Sequence, residues 1–355
     1  MAEKVRVLLI APSLDIIGGQ AVQAARLLAA FKDSADIRME FLPFNARLSW
    51  LERVPVARTA ARLFLFVPRL LWRATSCDVL HIFSAGLTSF MLWTVPAVLA
   101  GRLCRKKVII NYRDGRAEDH LKRYRSARPA LRLAHVIVAP SGYLVDVFAR
   151  HGIPARSIFN IIDLSKFRYR QRGKLKPVFM TNRGLEPLYN VACILRAFGI
   201  IQQRWPEAVL TIAHDGPCRP ALEQLARHLR LRNTRFIGSV APANVPELYD
   251  SAEIYITTPN IDNMPGSLLE CFASGLPIVA TRAGGIPYIA THEQTALLVD
   301  LNDHEAVAAS CLRLLEDEEL VRHLTQAGRR ELARYTPEHS RDQWAALYHE
   351  LVDNP

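Results

Sequence analysis

Two carboxylates eight positions apart, Asp262 and Glu270, flank a loop and the start of a short helix-forming run. The stretch from Thr257 to Pro287 starts at the end of an apolar, strand-like segment. It predicts a helix that begins near Ser267 and ends at Gly275. Backbone N–H groups at a helix start are unpaired and attract anions. Glu270 lies about one turn inside this helix, so its carboxylate can face the same crevice. The pattern suits a ligand with hydroxyl groups at both ends of a diphosphate.

A purely structural interpretation makes Asp262 a turn residue and Glu270 part of a solvated helix face. It does not explain why so many turn residues bracket one short helix. Parallel sheets bind ligands in the crevice beyond the carboxyl ends of their strands. The other predicted strand ends with unusual residues are those at Gly18 and Gly19, at His81, and at Arg183.

The glycine pair Gly18 and Gly19 follows the predicted strand Val5–Ala11 and precedes a predicted helix. Two glycines here let a backbone approach a ligand closely, and the helix start favours an anion. The third glycine and the strand-end acid of a dinucleotide-binding fingerprint are missing, so a tight turn and a binding loop both stay open. His81 ends another predicted strand, where a lone histidine is usually a packed or hydrogen-bonded residue.

Short apolar runs alternate with amphipathic stretches along the chain, which predicts an α/β fold of parallel sheets covered by helices. The predicted strands are Val5–Ala11, Ile37–Phe41, Val79–Phe83, Val108–Asn111, Val136–Ala139, Val178–Met180, Ala208–Ala213, Thr234–Ile237, Ile254–Thr257, Ile278–Ala280 and Ala296–Val299. The uncharged run Ile82–Gly101 is long enough to span a bilayer, but its polar residues, glycine and proline favour a strand end plus a buried helix. The basic segment Tyr169–Pro177 predicts a domain junction. We therefore expect domains at 1–172 and 173–335, and a helix in 336–355 that returns to the first domain.

The stretch around the two acids resembles the donor-site signature of family 4 retaining glycosyltransferases, which are two-domain enzymes of the GT-B fold. In that signature two acids separated by seven residues precede a helix of small residues, a Gly-x-Pro-Val-x-x-Thr run and a Gly-Gly pair. Here Asp262 and Glu270 have that spacing, and Gly275-Leu-Pro277-Ile-Val279-Ala-Thr281 and Gly284-Gly285 follow in order. Further matches along the chain are Gly18-Gly19, Asp78-Val-Leu-His81, Ser141-Gly-Tyr143, His151-Gly-Ile153, Asn160-Ile-Ile-Asp163, Asp215-Gly-Pro217 and Phe236-Ile-Gly238. The resemblance implies two Rossmann-like domains that face each other across a cleft.

The resemblance also implies roles for the matching residues of the second domain. Glu270 would hydrogen-bond the ribose hydroxyls of the nucleotide, and Asp262 would contact a hydroxyl of the donor sugar. Arg183 matches the family's phosphate-binding arginine, whose permanent charge and planar fork suit a diphosphate leaving group. Gly238 would lie near the base. The residues that would line the sugar and the diphosphate are Met264, Pro265, Gly266, Ser267 and Leu268.

In the first domain the resemblance implies that Gly18 and Gly19 approach the same phosphates. It also gives His81 an alternative to the packed role, in which the imidazole orients the acceptor or donor sugar. Both interpretations of His81 stay open, and His81 is a catalytic candidate together with Asp262, Arg183 and Glu270.

Two departures from the family pattern bear on the contacts with the donor. Asp262 is shorter than the glutamate that the family commonly has, which bears on the sugar that is held. The family's lysine about six residues after the arginine is missing, and no lysine follows Lys176. Either the arginine works with backbone amides and another cation, or transfer is weakened. Arg113, beside Asp114 at a predicted strand end on the acceptor side, is our candidate for that cation.

Taken together, the resemblance implies a retaining glycosyltransferase that uses a UDP- or GDP-linked sugar as donor substrate, with no cofactor and no metal. The sequence contains no Asp-x-Asp motif that would hold a metal on the diphosphate. The expected acceptor is a hydroxyl of a glycan, a lipid-linked molecule or a small molecule, as in cell-envelope polysaccharide or glycoconjugate synthesis. Two alternatives stay open: a sugar-nucleotide binding protein with weak turnover, which the missing lysine favours, and a sugar-nucleotide epimerase.

Charge is unevenly distributed: residues 1–175 carry 29 Lys and Arg against 12 Asp and Glu, and residues 176–355 carry 16 against 22. The basic half predicts an anionic partner, and because no aromatic-basic RNA motif accompanies it, we expect no nucleic acid. Arg47–Arg73 interleaves arginines with Trp, Phe and Leu, so it is either a membrane-surface segment or an ordinary surface helix. Six scattered cysteines and a start without signal-peptide features predict a cytoplasmic protein. The membrane-surface interpretation of Arg47–Arg73 would place it peripherally at the inner face of the membrane.

Overall fold

The computed structural model describes residues 4–15, 18–45, 55–124 and 127–353. The chain divides into two compact units, one formed by residues up to 162 together with residues from 335 onward, the other by residues 163–334. The division therefore falls between residues 162 and 163, and not between 172 and 173 as the sequence predicts. The predicted α/β fold is confirmed, since each unit is built on a six-stranded parallel sheet.

The sheet of the first unit has the strand order β2-β1-β3-β4-β5-β6, and every pairing in it is parallel. Its strands are β1 (Val5–Ala11), β2 (Ile37–Pro43), β3 (Val79–Ser84), β4 (Lys107–Tyr112), β5 (Val136–Ala139) and β6 (Arg156–Ser157). All six residues of β3 are buried because the strand lies between β1 and β4 and both faces of the sheet are covered. The two-residue β6 was not predicted, since it is too short to show a pattern of alternation.

The sheet of the second unit has the order β12-β11-β10-β7-β8-β9, again with parallel pairings throughout. Its strands are β7 (Val178–Thr181), β8 (Val209–Ile212), β9 (Thr234–Phe236), β10 (Ile254–Thr257), β11 (Ile278–Thr281) and β12 (Leu297–Val299). Strand β10 lies between β7 and β11, so the loops after β7 and β10 leave the same edge of the sheet. This edge carries the candidate donor site.

The helices cover both sheets. In the first unit they are α1 (Gly19–Ala30), α2 (Pro55–Thr75), α3 (Leu87–Ser89), α4 (Val95–Leu103), α5 (Ala117–Arg123), α6 (Ala127–Arg132) and α7 (Gly142–Arg150). In the second they are α8 (Val191–Arg204), α9 (Arg219–His228), α10 (Val245–Ser251), α11 (Gly266–Ser274), α12 (His304–Glu316) and α13 (Glu318–Glu331). The last helix, α14 (Pro337–Asp353), belongs to the first unit, where Trp344, Leu347 and Tyr348 pack in one of its apolar cores.

The uncharged run Ile82–Gly101 contains the end of β3, the short helix α3, a π-helical turn at Phe90–Thr94 and most of α4. The prediction of a strand end followed by a helix is therefore confirmed. Among the described residues, no helix combines the length and the apolar character needed to cross a bilayer.

The segment before β7 belongs to the second unit because two of its arginines are anchored there. The buried Arg172 donates to the carbonyl oxygens of Ser274 at 2.6 Å and Ala252 at 3.0 Å. Arg170 donates to Ala252 O and to the Glu253 carboxylate, each at 3.1 Å. Because of these contacts, the division of the chain lies before residue 163 and not within the basic segment. The polar, basic composition of the segment alone did not reveal that it packs against the second unit.

Candidate donor site

Helix α11 begins at Gly266, one residue before the start predicted from the sequence, and ends at Gly275 in a left-handed conformation with φ of 63°. The N–H of Leu276 donates to Cys271 O at 2.9 Å, which closes the helix. A Cβ at Gly275 would overlap Arg170 O, so only glycine lets the segment before β7 cross the helix end this closely. The glycine of the Gly-x-Pro run is thereby explained by local packing.

The loop between β10 and α11 is held at several points. The Thr258 hydroxyl donates to Asn190 O at 3.0 Å, and the Asn260 N–H donates to Leu188 O at 2.9 Å. From β11, the buried Thr281 hydroxyl donates to Pro259 O at 2.7 Å. The threonine at the end of the motif thus fixes the loop that carries the first acid.

The Gly-Gly pair of the motif packs against this acid loop. The Gly285 N–H donates to Asp262 O at 2.9 Å. A Cβ on Gly284 would overlap Asp262 O, and a Cβ on Gly285 would overlap Asn263 O. The two glycines therefore allow one backbone to lie directly on the other, which sets the position of the Asp262 carboxylate.

Arg183, in the loop after β7, pairs with the Asp262 carboxylate, and both side chains are largely buried at 12% and 13% exposure. Its Nη1 lies 3.5 Å from Ser267 Oγ in the first turn of α11. The guanidinium also stacks on Tyr189, with Cζ 4.3 Å from the ring centroid. Burial opposes its charged form, but the Asp262 carboxylate and the neighbouring tyrosine hydroxyls together raise the pKa of Arg183. The arginine is thus charged, oriented and directed at the start of the helix.

Glu270 ends a chain of partly buried hydrogen bonds. The Tyr255 hydroxyl donates to Asn182 Oδ1 at 2.9 Å, and Asn182 Nδ2 donates to the Tyr249 hydroxyl at 3.0 Å. The Tyr249 hydroxyl donates to Glu270 Oε2 at 2.6 Å. Burial and the Glu270 carboxylate together raise the pKa of Tyr249 well above its ordinary value, so the phenol stays a proton donor.

These two groups of residues form one network, because Ser267 also hydrogen-bonds the Tyr255 hydroxyl. Every hydrogen bond on the path through Ser267 is donated in the direction from the Arg183 cation towards the Glu270 carboxylate. Arg183 donates to Ser267, and Ser267 donates to the Tyr255 hydroxyl. The structure therefore brings Asp262, Arg183, Ser267 and Glu270 into one connected set. Sequence reasoning missed Tyr249 and Tyr255, because a tyrosine in a helix and another in a strand have no local pattern that marks a shared network. The remaining predicted lining residues, Met264, Pro265, Gly266 and Leu268, form the end of the loop and the start of α11.

Tyr189 occupies the position, six residues after the arginine, at which the family has its lysine. It ends a 3-10 turn at Pro187–Tyr189 and is followed by Asn190 in a left-handed conformation. A ring at this position restricts the guanidinium of Arg183 but adds no charge. Tyr189 thus stands in the place of the family's lysine and orients the Arg183 cation.

We expect Tyr189→Ala to weaken the binding of UDP by roughly 3- to 10-fold, since a cation–π contact of a partly buried pair contributes about 1 kcal/mol. Tyr189→Phe keeps the ring and is the matched control, so its affinity should stay close to that of the wild type. Calorimetric titration with UDP measures both. Equal affinities for the alanine and phenylalanine variants would contradict the orienting role.

His81 is fully buried in the first unit. Its Nδ1 lies 2.7 Å from the Tyr348 hydroxyl and its Nε2 lies 3.0 Å from Asn111 Nδ2. The ring packs 4.3 Å from Trp344, and burial lowers the pKa of His81 to about 3. These contacts support the packed interpretation of His81, because both ring nitrogens have partners and the imidazole ties α14 to β3. Its place among the catalytic candidates stays a prediction.

The other glycine candidates differ in their surroundings. Gly18 has extended backbone, and its carbonyl accepts from Val22 N in the first turn of α1. A Cβ on Gly18 or Gly19 would meet nothing within 4 Å among the described residues. Gly238 has φ of 75° and lies beside Arg219. Their predicted contacts with a donor stay predictions.

Arg113 and Asp114 lie at the end of β4 in the first unit. The Arg113 guanidinium donates to Asn160 and Asn111 and lies 4.8 Å from the Phe83 ring centroid. Burial lowers the pKa of Arg113 to about 10, so it is still charged at neutral pH. Asp114 accepts from Gly86 N at 3.2 Å and pairs with Arg116. The assignment of Arg113 as a second cation for the diphosphate stays a prediction.

Within the described ranges, no group of three or more His, Cys, Asp or Glu side chains is placed to hold a metal ion.

The match to a family model lies in the second unit. Residues 164–331 match the model described as "Glycosyl transferases group 1". Among curated proteins, the N-acetyl-alpha-D-glucosaminyl L-malate synthase of Bacillus anthracis is 26% identical over 208 residues, which are 56% of this chain and 54% of that protein. The D-inositol 3-phosphate glycosyltransferase of Corynebacterium urealyticum is 29% identical over 180 residues, 48% of this chain and 42% of that protein. The chain thus spans about half the length of the curated relatives it matches.

Solved structures match over the whole chain. The Anabaena protein HepE in complex with UDP has a TM-score of 0.77 at 16% identity and covers 98% of this chain and 100% of its own. The sucrose-phosphate synthase of Thermosynechococcus elongatus has a TM-score of 0.77 at 17% identity, covering 99% of this chain and 100% of its own. The fold is therefore that of the GT-B glycosyltransferases. The second unit is thus similar to the glycosyl transferases group 1 family.

Proposed function

We propose that this protein transfers a sugar from a nucleotide-diphosphate donor to a hydroxyl of an acceptor. The observation that carries the proposal is the connected set of Asp262, Arg183, Ser267 and Glu270, which lies within the stretch that matches the family model. The network joins a largely buried cation at the start of a helix to a partly buried carboxylate about one turn further along it. This arrangement fits a diphosphate between a sugar and a ribose.

Each residue has a distinct part in the proposed reaction. Arg183 and the first amides of α11 stabilise the negative charge that grows on the departing diphosphate. Asp262 holds the guanidinium and contacts a hydroxyl of the donor sugar. Glu270, fixed by Tyr249, accepts hydrogen bonds from the ribose. Catalysis then rests on positioning and on stabilising the leaving group, with retention of configuration as the family resemblance implies.

The donor is proposed to be UDP- or GDP-linked, and the Anabaena neighbour crystallised with UDP supports the uridine nucleotide. A thermal-shift panel of UDP, GDP and their glucose, galactose, mannose and N-acetylglucosamine derivatives tests this, since a ligand that binds the folded state raises Tm. Product analysis after incubation with the stabilising donor then separates transfer or hydrolysis from isomerisation. Binding without turnover would support the non-catalytic alternative, and an isomerised nucleotide sugar would support the epimerase.

We expect activity to be independent of divalent metal, with no cofactor beyond the donor. The cation that balances the diphosphate in this proposal is Arg183, which stays charged at any pH that the protein tolerates. Transfer or hydrolysis of the donor in excess EDTA should therefore match that in buffer alone. A loss of activity that added Mg²⁺ or Mn²⁺ restores would contradict this prediction.

For the acceptor we propose a hydroxyl of a glycan or lipid-linked molecule of the cell envelope, and for the location the cytoplasmic side of a membrane. The six cysteines support a reducing compartment, since none forms a disulfide. The basic first half supports a position near an anionic surface.

A further inference from the structure

Helix α2 exposes large apolar side chains on its outer face. Its inner face packs in the core through Phe66, Leu70 and Ala74, which are spaced four residues apart. On the outer face Phe64 is 78% exposed and Trp72, eight residues later, is 72% exposed. An ordinary surface helix is polar opposite its core. Helix α2 instead is apolar on both its inner and its outer face.

Helix α4 repeats this feature. Leu99 is 52% exposed and Leu103, one turn later, is 76% exposed. The two helices pack on one another in the first unit. In addition, Lys106 Nζ, just after α4, donates to Thr75 O at the end of α2. The exposed residues Phe64, Trp72, Leu99 and Leu103 therefore belong to one surface, which we call the α2–α4 surface.

The segment that contains α2 and α4 is predominantly positive, although Glu40 of β2 pairs with Arg73 of α2. Residues 55–107 contain eight Lys and Arg and a single acid, Asp78. That acid is paired with Arg6, at 2.7 Å between Nη2 and Oδ1. Directly after α4 the chain forms an open depression lined by basic side chains, which are Arg102, Arg105, Lys106, Lys107 and His135. The apolar patch is thus bordered by a cluster of cationic side chains.

We propose that the α2–α4 surface docks on an anionic lipid bilayer, with Phe64, Trp72, Leu99 and Leu103 in the headgroup region and the depression after α4 over lipid phosphates. Exposed apolar side chains and adjacent cations are the two signals that membrane-surface helices combine. Each Lys or Arg near an anionic surface strengthens binding by about fivefold. Charge complementarity selects the bilayer over a second copy of this chain, because a copy would bring the same positive surface.

The proposal extends the expectation for Arg47–Arg73. Residues 47–54 of that stretch lie outside the described residues, whereas α2 confirms a helix over the rest. The sequence did not indicate that α4 and the turn after it contribute to the same surface as α2. The docking surface deepens the proposed location at a membrane and does not depend on sugar transfer, so the two can fail separately.

The test is sedimentation of the full chain with vesicles of phosphatidylglycerol and phosphatidylcholine, compared with pure phosphatidylcholine at the same salt. We expect strong binding to the anionic vesicles only, with loss of binding as ionic strength rises. The double variant Phe64→Ser/Leu103→Ser should lower the apparent partition coefficient at least ~10-fold, since each side chain leaves the interface. Arg102→Gln/Arg105→Gln should lower it by about 10-fold or more through charge.

Leu301→Ser is the matched control, because Leu301 is an exposed leucine of the second unit at 44% exposure and should not alter sedimentation. All these side chains are exposed, so the variants should keep the wild-type Tm, and a variant that unfolds is replaced by Trp72→Gln/Leu99→Gln. Equal binding to neutral and anionic vesicles would overturn the proposal. So would unchanged binding of the double variants, or a dimer in solution that Phe64→Ser/Leu103→Ser converts to a monomer.

Discussion

Arg183→Ala should lower kcat/KM for the nucleotide-sugar donor by roughly 100- to 1,000-fold, which is the effect of removing one donor from a site where charge develops in the transition state. The residue combines three fixed contacts, since its guanidinium pairs with Asp262, reaches Ser267 and stacks on Tyr189. Such a preorganised cation needs no rearrangement as the leaving group gains charge. The expected fall therefore lies mainly in kcat.

The same substitution leaves Asp262 largely buried without its cation, so it should also lower the free energy of unfolding by about 1–3 kcal/mol. Circular dichroism at the assay temperature and the Tm of the variant separate this effect from catalysis. The variant should have a Tm above the assay temperature and still be folded when its activity is measured. Arg183→Lys keeps the charge but loses the planar fork, and should show an intermediate loss.

The control for Arg183 is Arg313→Ala. Arg313 forms an ion pair with Glu293 in the same unit, but both side chains are about half exposed. Exposed pairs of this kind contribute roughly 0–1 kcal/mol, so this variant should keep wild-type activity. If Arg183→Ala were as active as Arg313→Ala, the proposed role of the phosphate arginine would be wrong.

The sequence predicted the donor-site elements well because their signals are local. The glycine that ends α11, the apolar strand before the loop and the Gly-Gly pair each leave a mark within a few residues. All the predicted strands are present, with ends shifted by about two residues or fewer, as is usual for boundaries set by hydrogen bonding. The fold class followed from alternation of strands and helices alone.

What the sequence did not show are contacts between residues far apart in the chain. Tyr249 lies in α10, Tyr255 in β10 and Asn182 after β7, and only the folded unit brings them to Glu270. The role of His81 was ambiguous for the same reason, since its partner Tyr348 is 267 residues away in the last helix. The predicted domain boundary near residue 172 differs from the observed one because Arg172 has the polar, basic character of a linker residue. In the structure it is buried and donates to carbonyl groups of the second unit.

The network also accounts for the two departures from the family pattern in physical terms. The shorter Asp262 is long enough to reach the guanidinium of Arg183 because the Gly-Gly pair lets its loop lie close to β11. Tyr189 then orients the same guanidinium from its face. Without the lysine the site has one positive charge fewer. The remaining cation, Arg183, is held by the Asp262 carboxylate and by the ring of Tyr189. The site is therefore expected to depend on backbone packing as strongly as on its charged groups.

Gly285→Ala tests that dependence without changing any charged group. Gly285 has φ of −81°, which alanine adopts freely, so the effect of the substitution is purely steric. The added Cβ would overlap Asn263 O, and both partners are backbone, so the loop that carries Asp262 must move. We expect the free energy of unfolding to fall by about 1–3 kcal/mol. We also expect kcat/KM to fall on the order of 100-fold, because a displacement of about 1 Å at a positioned group has that effect.

Gly199→Ala is the matched control for this prediction. Gly199 lies inside α8 of the same unit, and its Cβ would come no closer than 3.6 Å to Leu231 Cδ2, an ordinary contact. Alanine in a helix interior should raise the free energy of unfolding by up to about 1 kcal/mol and leave activity unchanged. Thermal unfolding and steady-state kinetics of the two variants give the comparison. A Gly285→Ala protein with wild-type kcat/KM would show that Asp262 does not need the position that the Gly-Gly pair gives it, and would remove that residue from the donor site.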